Sequence, residues 1–380
     1  NGPPSPSILN PTQGVDSFIE NYFDTDQFDY AEISTSYQNT DITRCISFID
    51  NSYFVVTDFL SASSNHDYDW LLHGNGGGNT GNAYNMITNG SFYTVNDVDL
   101  YLFLNSTESV TFSSYNDYHE ESYATAGEHT VTRGSVYGQN VIYSAFLIPL
   151  NERDSLEYFP INTGNANGGY IVHNNKKTLN LVKENYSLVS INFCEDEISF
   201  DSKSLIMVQN ELENPEVVFL KDGQTLIYND TPLIQCSEIT NFNLNISDTS
   251  AKGFINNGCE VQLYTGNEPT QVTGADSYSF SNGILTLLFS DNTNFTIDVI
   301  WQLELLTPVN LTISISGNEI MLSWEHSVGA TGYKIYSSED PQLNMEDWIL
   351  EDTIQDVNNW TTTITNNKKF FYVKAVRVWL

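Results

Sequence analysis

Arg44–His73, RCISFIDNSYFVVTDFLSASSNHDYDWLLH, is the stretch on which the reading of this chain turns. Ile46 and Phe48 alternate with Cys45 and Ser47, the period-two signature of a strand with one face covered. Asp50-Asn51-Ser52 reads as a turn, because short polar side chains tolerate left-handed backbone. Tyr53–Leu60 is almost continuously apolar, as expected of a strand covered on both faces. A polar loop is expected next, then a third strand ending on His73, at the mouth of the glycine-rich segment GNGGGNTG. A strand end beside a loop is where a rigid sheet presents a side chain to a ligand.

The same texture fills the other residues. Aromatics make up 13% of the 380 residues, and short alternating runs are punctuated by Asn, Gly, Asp and Ser, with no long helix-period segment. This pattern specifies an all-β protein. The expected architecture is a large multi-stranded antiparallel sandwich over 15–230, a smaller β segment continuing it over 231–305, and a separate small sandwich over 306–380. Residues 1–14, rich in Pro, Ser and Gly, read as a linker, and a chain that starts on a linker is expected to have lost something before it. Val15–Phe23 is expected to be a short helical turn or irregular. Lys221-Asp222-Gly223-Gln224 is expected to be a hairpin tip, as Asp-Gly suits a tight turn.

Charge narrows the function classes. Lys and Arg total 14 against 48 Asp and Glu, a formal net charge of -34. No basic stripe is available to replace the counterions of a nucleic acid or to meet an anionic membrane surface. No apolar run approaches the roughly 20 residues that would cross a bilayer as a helix. Such acidity suits solubility in a salty or mineral-rich exterior, or binding of Ca²⁺ or another divalent cation through carboxylates such as Asp24, Asp26 and Asp29. No segment fits the helix-flanked Ca²⁺ loop. Sequons at Asn89, Asn105, Asn185, Asn229, Asn245, Asn294, Asn310 and Asn359 fit a secreted or cell-surface protein. The four cysteines, Cys45, Cys194, Cys236 and Cys259, contain no CxxC pair. Cys236–Cys259 is the first pairing to test; four buried free thiols are the alternative.

The motifs for chemistry are few. Gly76, Gly78 and Gly81 make a formal GxGxxG, but NAYNMITNG follows with no helical period, so the phosphate-binding reading fails. GxxxxGK[ST], GxSxG and HExxH are absent. Of the six histidines, His66 and His73 fall in the opening stretch, yet a lone histidine at a strand end is ordinarily a hydrogen-bonded structural residue.

A resemblance adds weight to His73. Asp29-Tyr30, Tyr37, Arg44, Phe54-Val55-Val56-Thr57-Asp58 and Tyr68-Asp69 leading to His73 resemble the β-sandwich part of heparinase II/III-like polysaccharide lyases. SVYGQ (Ser135–Gln139) and AFLIP (Ala145–Pro149) look like later landmarks of the same module. The resemblance implies β-elimination on an acidic polysaccharide: a base removes the C5 proton, the sugar carboxylate is neutralised and the 4-O leaving group is protonated. It implies His73 near that carboxylate and Tyr137 as a second catalytic candidate. It further implies Arg44, Tyr68 and His66 on the substrate wall, with Arg44 alternatively pairing Asp58. These lyases also carry an N-terminal helical toroid that supplies most catalytic groups, and this chain has no such region. The chain alone is therefore expected to be inactive. It is either the β module of such an enzyme, acting on an acidic or neutral polysaccharide, or a non-catalytic extracellular structural protein that self-assembles through β edges. In the last section, IMLSW (Ile320–Trp324), GYKIY (Gly332–Tyr336) and FFYVKAV (Phe370–Val376) resemble strands B, C and F of a fibronectin type III domain.

Overall fold

The computed structural model describes residues 16–122, 125–151, 155–193, 196–211, 214–229, 231–301, 308–327, 330, 332–343, 348–355, 357–363 and 369–376. The expected linker and Cys194 lie outside the described residues. Among those described there is no helix, and the strands form antiparallel sheets with no closed barrel. The all-β expectation therefore holds. The chain divides into two compact units with interleaved segments. One takes in the described residues up to Tyr186, with Ser202–Lys221 and Phe242–Asn245; the other takes in Ser187–Asp201, Asp222–Asn241 and the residues from Ile246 on.

The first unit begins with β1 (Ser17–Phe23), β2 (Phe28–Tyr37), β3 (Thr40–Ile49), β4 (Tyr53–His73), β5 (Ala83–Ile87), β6 (Gly90–Val95), β7 (Val98–Ser106), β8 (Thr111–Ser122) and β9 (Thr125–Asn151). They are ordered β1-β2-β3-β4-β9-β7-β6-β5, with β8 added on β9. Gln38-Asn39, Asp50-Asn51 and Asn96-Asp97 link successive strands, each with positive φ at both residues. At Gln38-Asn39 and Asn96-Asp97 that is the two-residue hairpin geometry whose twist matches the strands, and Asn and Asp tolerate it; Asp50-Asn51-Ser52 is a three-residue loop between the paired Ile49 and Tyr53.

Two expectations fail here. The described part of the proposed helical turn is β1, paired with β2 from Ser17↔Thr35 to Phe23↔Tyr30. Phe23 is buried and stacks on Phe28 and Tyr30, so tertiary packing decides the backbone. The expected polar loop before His73 is instead an interruption inside one 21-residue strand. β3 follows β4 as far as Ala62, and the pairing of β4 with β9 shifts between Ser61 and His66. The Gln139 side chain bridges the shift by donating to the Ala62 carbonyl at 3.1 Å. Polarity at Ser61, Ser63, Ser64 and Asn65 records exposure, not a change of backbone.

At this bulge both long strands bend and the layer folds back over itself. Val56, Leu102, Leu104, Tyr143 and Ala145 from one side pack against Tyr68, Trp70 and Val136 from the other. The remaining face meets a second sheet made from β10 (Leu156–Asn162), β11 (Asn167–His173), β12 (Lys176–Val182), β15 (Ser204–Gln209) and the first part of β16 (Pro215–Tyr228); β13 (Val189–Phe193) and β14 (Asp196–Phe200) belong to the other unit. Phe103 stacks on Tyr158 with centroids 4.3 Å apart, and Phe28 and Tyr30 lie 5.0 and 4.7 Å from Phe219. Asn180 donates to Ser144 at 2.7 Å, and Lys221 pairs with Glu32 at 3.1 Å, both within the covered interior. The first unit is thus three layers deep.

In the second unit β14 pairs with β13 and with the end of β16. The expected Asp-Gly hairpin tip is not a tip, because β16 runs unbroken through it. Asp222 takes a positive φ, and the Gln224 and Thr225 amides donate to the Asp201 carboxylate at 2.8 and 2.9 Å. Asp-Gly supplies a local kink whose freed donors find a side-chain acceptor. Then come β17 (Thr231–Ile246), β18 (Ser250–Asn256), β19 (Glu260–Tyr264), β20 (Gln271–Thr273), β21 (Ser277–Ser281), β22 (Ile284–Leu288) and β23 (Thr293–Asp298). β19 lies between β17 and β22, and β23 between β18 and β20. Finally β24 (Thr312–Ser316), β25 (Glu319–Ser323) and β28 (Asn359–Thr363) form one small sheet, and β27 (Ile349–Gln355), β26 (Gly332–Ser338) and β29 (Phe370–Val376) another. Leu322, Trp324, Tyr333, Ile335 and Val373 make their common core.

Candidate functional site

Downstream of the bulge, β4, β9 and β8 form a three-stranded layer with two distinct faces. Its inner face is closed. Tyr68 is 9% exposed and Trp70 7%. Gly134 stands opposite Trp70 on β4 and Phe112 on β8; a Cβ there would lie 2.4 Å from a Leu104 methyl, so the close approach of the layers requires glycine. The Tyr143 hydroxyl donates toward the Tyr68 carbonyl at 2.9 Å, and burial drives its pKa up. Arg44 grips Asp58 through Nε and Nη2, both at 2.7 Å, and Trp70 Nε1 donates to the same carboxylate at 2.8 Å. Asp58 is 3% exposed. Its hydrogen bonds raise the Arg44 pKa further, against the effect of burial.

The outer face alternates with the inner one. It carries Asp67, Asp69, Leu71 and His73 on β4, and His129, Val131, Arg133, Ser135 and Tyr137 on β9, of which His129 and Val131 are covered by their neighbours and buried. Ser113, Tyr115 and Asp117 continue it on β8. His73 and His129 meet through Nδ1 and Nε2 at 3.1 Å. One ring must donate and the other accept, so the contact requires at least one neutral imidazole. Arg133 Nε donates to Ser113 Oγ at 3.0 Å, its guanidinium lies 5.9 Å from the Tyr115 ring centroid, and Nη1 is 3.8 Å from Asp69. Ser135 donates to Asp69. Burial, then the nearby Asp117, raise the Tyr115 pKa.

The glycine-rich segment fixes this end of the layer. Beyond His73 it continues as a neighbour of β9: the Gly76 carbonyl accepts from the Thr130 amide and the Asn79 amide donates to Glu128, both at 2.9 Å. Gly77 and Gly78 have positive φ, and a Cβ on them would fall 2.0 Å from Thr130 Oγ1 and 2.2 Å from the Glu128 carbonyl. The segment is a clip against β9. On the inner side the Tyr93 hydroxyl lies 3.0 Å from the Leu72 and Thr130 carbonyls and from Thr132 Oγ1, tying the last turn of β4 to β9.

The candidates named from the sequence separate on this frame. His73 is on the open face. Tyr137 shares that face and is 63% exposed, but it stands six positions along β9 from Val131, the partner of His73. At 3.3–3.4 Å per residue that is about 20 Å, too far for both to act on one sugar's reacting atoms. Tyr68 faces the core, its hydroxyl 3.3 Å from the Gln139 carbonyl. Arg44 is committed to Asp58 on the far side of the layer. His66 sits at the bulge, 3.4 Å from Ser64 and against the Tyr68 ring. The residues that accompany His73, namely His129, Tyr115 and Arg133, carried one legible signal: odd positions from His129 to Tyr137 share a face. Asp24, Asp26 and Asp29 assemble no cation cage, and among the described residues no three His, Cys, Asp or Glu side chains do. No helix there is long and apolar enough to cross a membrane. The Asn105 amide donates to Tyr158 and to the Gly168 carbonyl, and Asn245 is buried, so both sequons are engaged inside the fold.

No protein-family model matches the sequence, and no curated protein does. Solved structures do. A heparinase III crystal structure is 14% identical with a TM-score of 0.35. A second heparinase III is 16% identical with a TM-score of 0.36, and its form with methylated lysines gives 0.35. Each match covers 42% of this chain and 26% of the heparinase III chain. This chain thus spans about a quarter of the length of the structures it matches.

Proposed function

We propose that the open face of β4, β8 and β9 binds polysaccharide, and that the chain is the β module of a lyase-type protein that cleaves uronic-acid glycans by β-elimination when a toroid-type domain supplies the remaining groups. The observation that carries this reading is His73, exposed beside Tyr115 and Arg133 and backed by the buried His129 on a layer locked from behind. Arg133 offers a cation to a sugar carboxylate, where the rest of the protein offers mostly negative charge. Tyr115 offers an aromatic surface to a sugar ring. An imidazole N–H at His73 can hydrogen-bond an enolate developing at the carboxylate, and the hydrogen bond shared with His129 sets the ring's orientation. A complete elimination also needs a base and an acid positioned together, and the described face alone brings only the histidines and Tyr115 near one another. Resemblance and sequons together support a secreted or cell-surface setting. Trp324 packed edge-on against Tyr333 at 5.0 Å, in two facing three-stranded sheets, supports a fibronectin type III-like module at the C-terminal end.

Affinity electrophoresis in gels cast with polyuronate or with a neutral glucan tests the reading. Retardation by polyuronate that is lost in His73→Ala and Tyr115→Ala, with unfolding midpoints unchanged, is the expected outcome. Equal mobility of all three proteins in both gels would sink it.

A second reading, a self-assembling structural protein, is favoured by β1. Among the described residues it is the last strand of its sheet, with Phe18, Ile19 and Tyr22 exposed. Light scattering that stays monomeric up to high concentration, with and without calcium, would remove it.

A further inference from the structure

The β17–β19 ladder brings two thiols together. Cys236 stands opposite Val261, and Cys259 precedes Val261 by two positions, which puts both sulfurs on one face of the ladder. Both are buried, at 3% and 6% exposure. Their side chains hydrogen-bond to each other. Cys45, the other described cysteine, is engaged elsewhere, as acceptor of the Tyr30 hydroxyl at 3.1 Å.

We propose that Cys236 and Cys259 are a redox pair that closes to an intrachain disulfide, joining β17 to β19 and enclosing β18. The bonding around the pair supports an order of events. The Cys236 S–H and the backbone amides of Glu238 and Ser237 stabilise a thiolate at Cys259, lowering its pKa to about 7 against the effect of burial. The same thiol–thiol bond, with burial, raises that of Cys236. Cys259 is therefore the attacking sulfur. Its thiolate attacks one sulfur of an external disulfide of the glutathione type, forming a mixed disulfide and expelling one thiolate. Cys236 then gives up its proton to that leaving thiolate and attacks Cys259 Sγ, expelling the second. Two protein thiols lose two electrons and two protons, and one external disulfide becomes two thiols. Because both sulfurs are shielded in the folded chain, the exchange takes place in an oxidising compartment once β17 and β19 have paired, through a local opening that admits the external disulfide.

The test uses the whole chain exported to a bacterial periplasm and purified without reductant. The protein is denatured, alkylated and digested, and the peptides are mapped by mass spectrometry. The expected result is a cross-linked peptide containing Cys236 and Cys259, with alkylation of both rising about tenfold or more after reduction. Alkylation that is equal before and after reduction would overturn the proposal. So would a cross-link that joins either cysteine to Cys45 or Cys194. These readouts come from the unsubstituted chain, so they do not depend on how a variant folds.

Discussion

The two ends of β4 are made of similar residues and do opposite things. Before the bulge, Arg44 on β3, Asp58 on β4 and Trp70 from the returning half close a polar knot in which every charged atom named has a partner. After the bulge, His73 meets His129 and Arg133 meets Tyr115; His129 is buried, but His73, Tyr115 and Arg133 lie along a face that meets solvent. A polar cluster whose valences are spent inside the fold specifies the scaffold. A cluster with donors left facing water can take a ligand. The comparison separates the residues that identify the module from those that can serve it.

The strongest way to break it is Arg44→Ala. The guanidinium is about half exposed while Asp58 is not, so removing Arg44 strands a buried carboxylate beside Trp70. A loss of about 3 kcal/mol is expected by urea unfolding, because the remaining charge has no comparable partner. Polyuronate retardation of the folded protein should be unchanged. If Arg44→Ala left stability intact but abolished retardation, the knot would be substrate machinery and the two ends would not differ as argued.

Gly134→Ala probes the fold that turns one end over the other. The added methyl enters the space of Leu104, with an expected cost of about 2 kcal/mol by the same measurement. A neutral outcome would mean that the layers separate easily and that the outer face is not rigidly held.

On the open face the expected effect is on binding. Tyr115→Ala and His73→Ala should each weaken a short uronate oligosaccharide about tenfold, or ~1.4 kcal/mol, by calorimetry. Tyr137→Ala, about 20 Å along the strand, should leave the short ligand's affinity unchanged. Equal losses at Tyr137 and Tyr115 would move the site or merge the two.

The sequence makes the scaffold end easier to read than the site end, for a physical reason. Alternation at Cys45–Phe48, the Asp50-Asn51 turn and the apolar run from Tyr53 are local, and local pattern reports the strands; it misjudges the face, since Cys45 and Ser47 are buried, Ile46 and Phe48 are less so, and Phe54 is exposed. His73 was visible as a strand end. His129 lies 56 residues away and reaches it only because β9 pairs with β4 in one register, which no window of sequence contains. Tyr137 drew notice through its motif, but the register that makes it exposed also carries it away from His73. The polar residues at Ser61–Asn65 misled because they look like a loop wherever they are exposed, and Asp222-Gly223 because a kink and a reversal use the same residues.

The smallest expected effect lies at the turn that starts β4. Lys176 on β12 bonds Asp50 in that turn and Glu216 on β16, each at 3.0 Å. Burial of the ammonium pulls its pKa down, but hydrogen bonds to Glu216 and then Asp50 outweigh this, and the net shift is upward from 10.5. A raised cationic pKa means that the folded state holds this proton more tightly. The stabilisation is fully present below the unfolded value near 10.5 and is lost as pH rises through the higher folded value. Lys176→Gln should therefore cost about 0.5 kcal/mol at pH ~8, since the pair is partly exposed, and the gap from the unsubstituted chain should close in urea melts as pH rises beyond the unfolded value of 10.5. Other groups titrating there affect both proteins alike, so the difference isolates Lys176. A gap that widened with pH would mean that Lys176 is held by packing of its stem. The polar contacts at the β4 turn would then resemble the unspent ones at its far end more than the closed knot at Asp58.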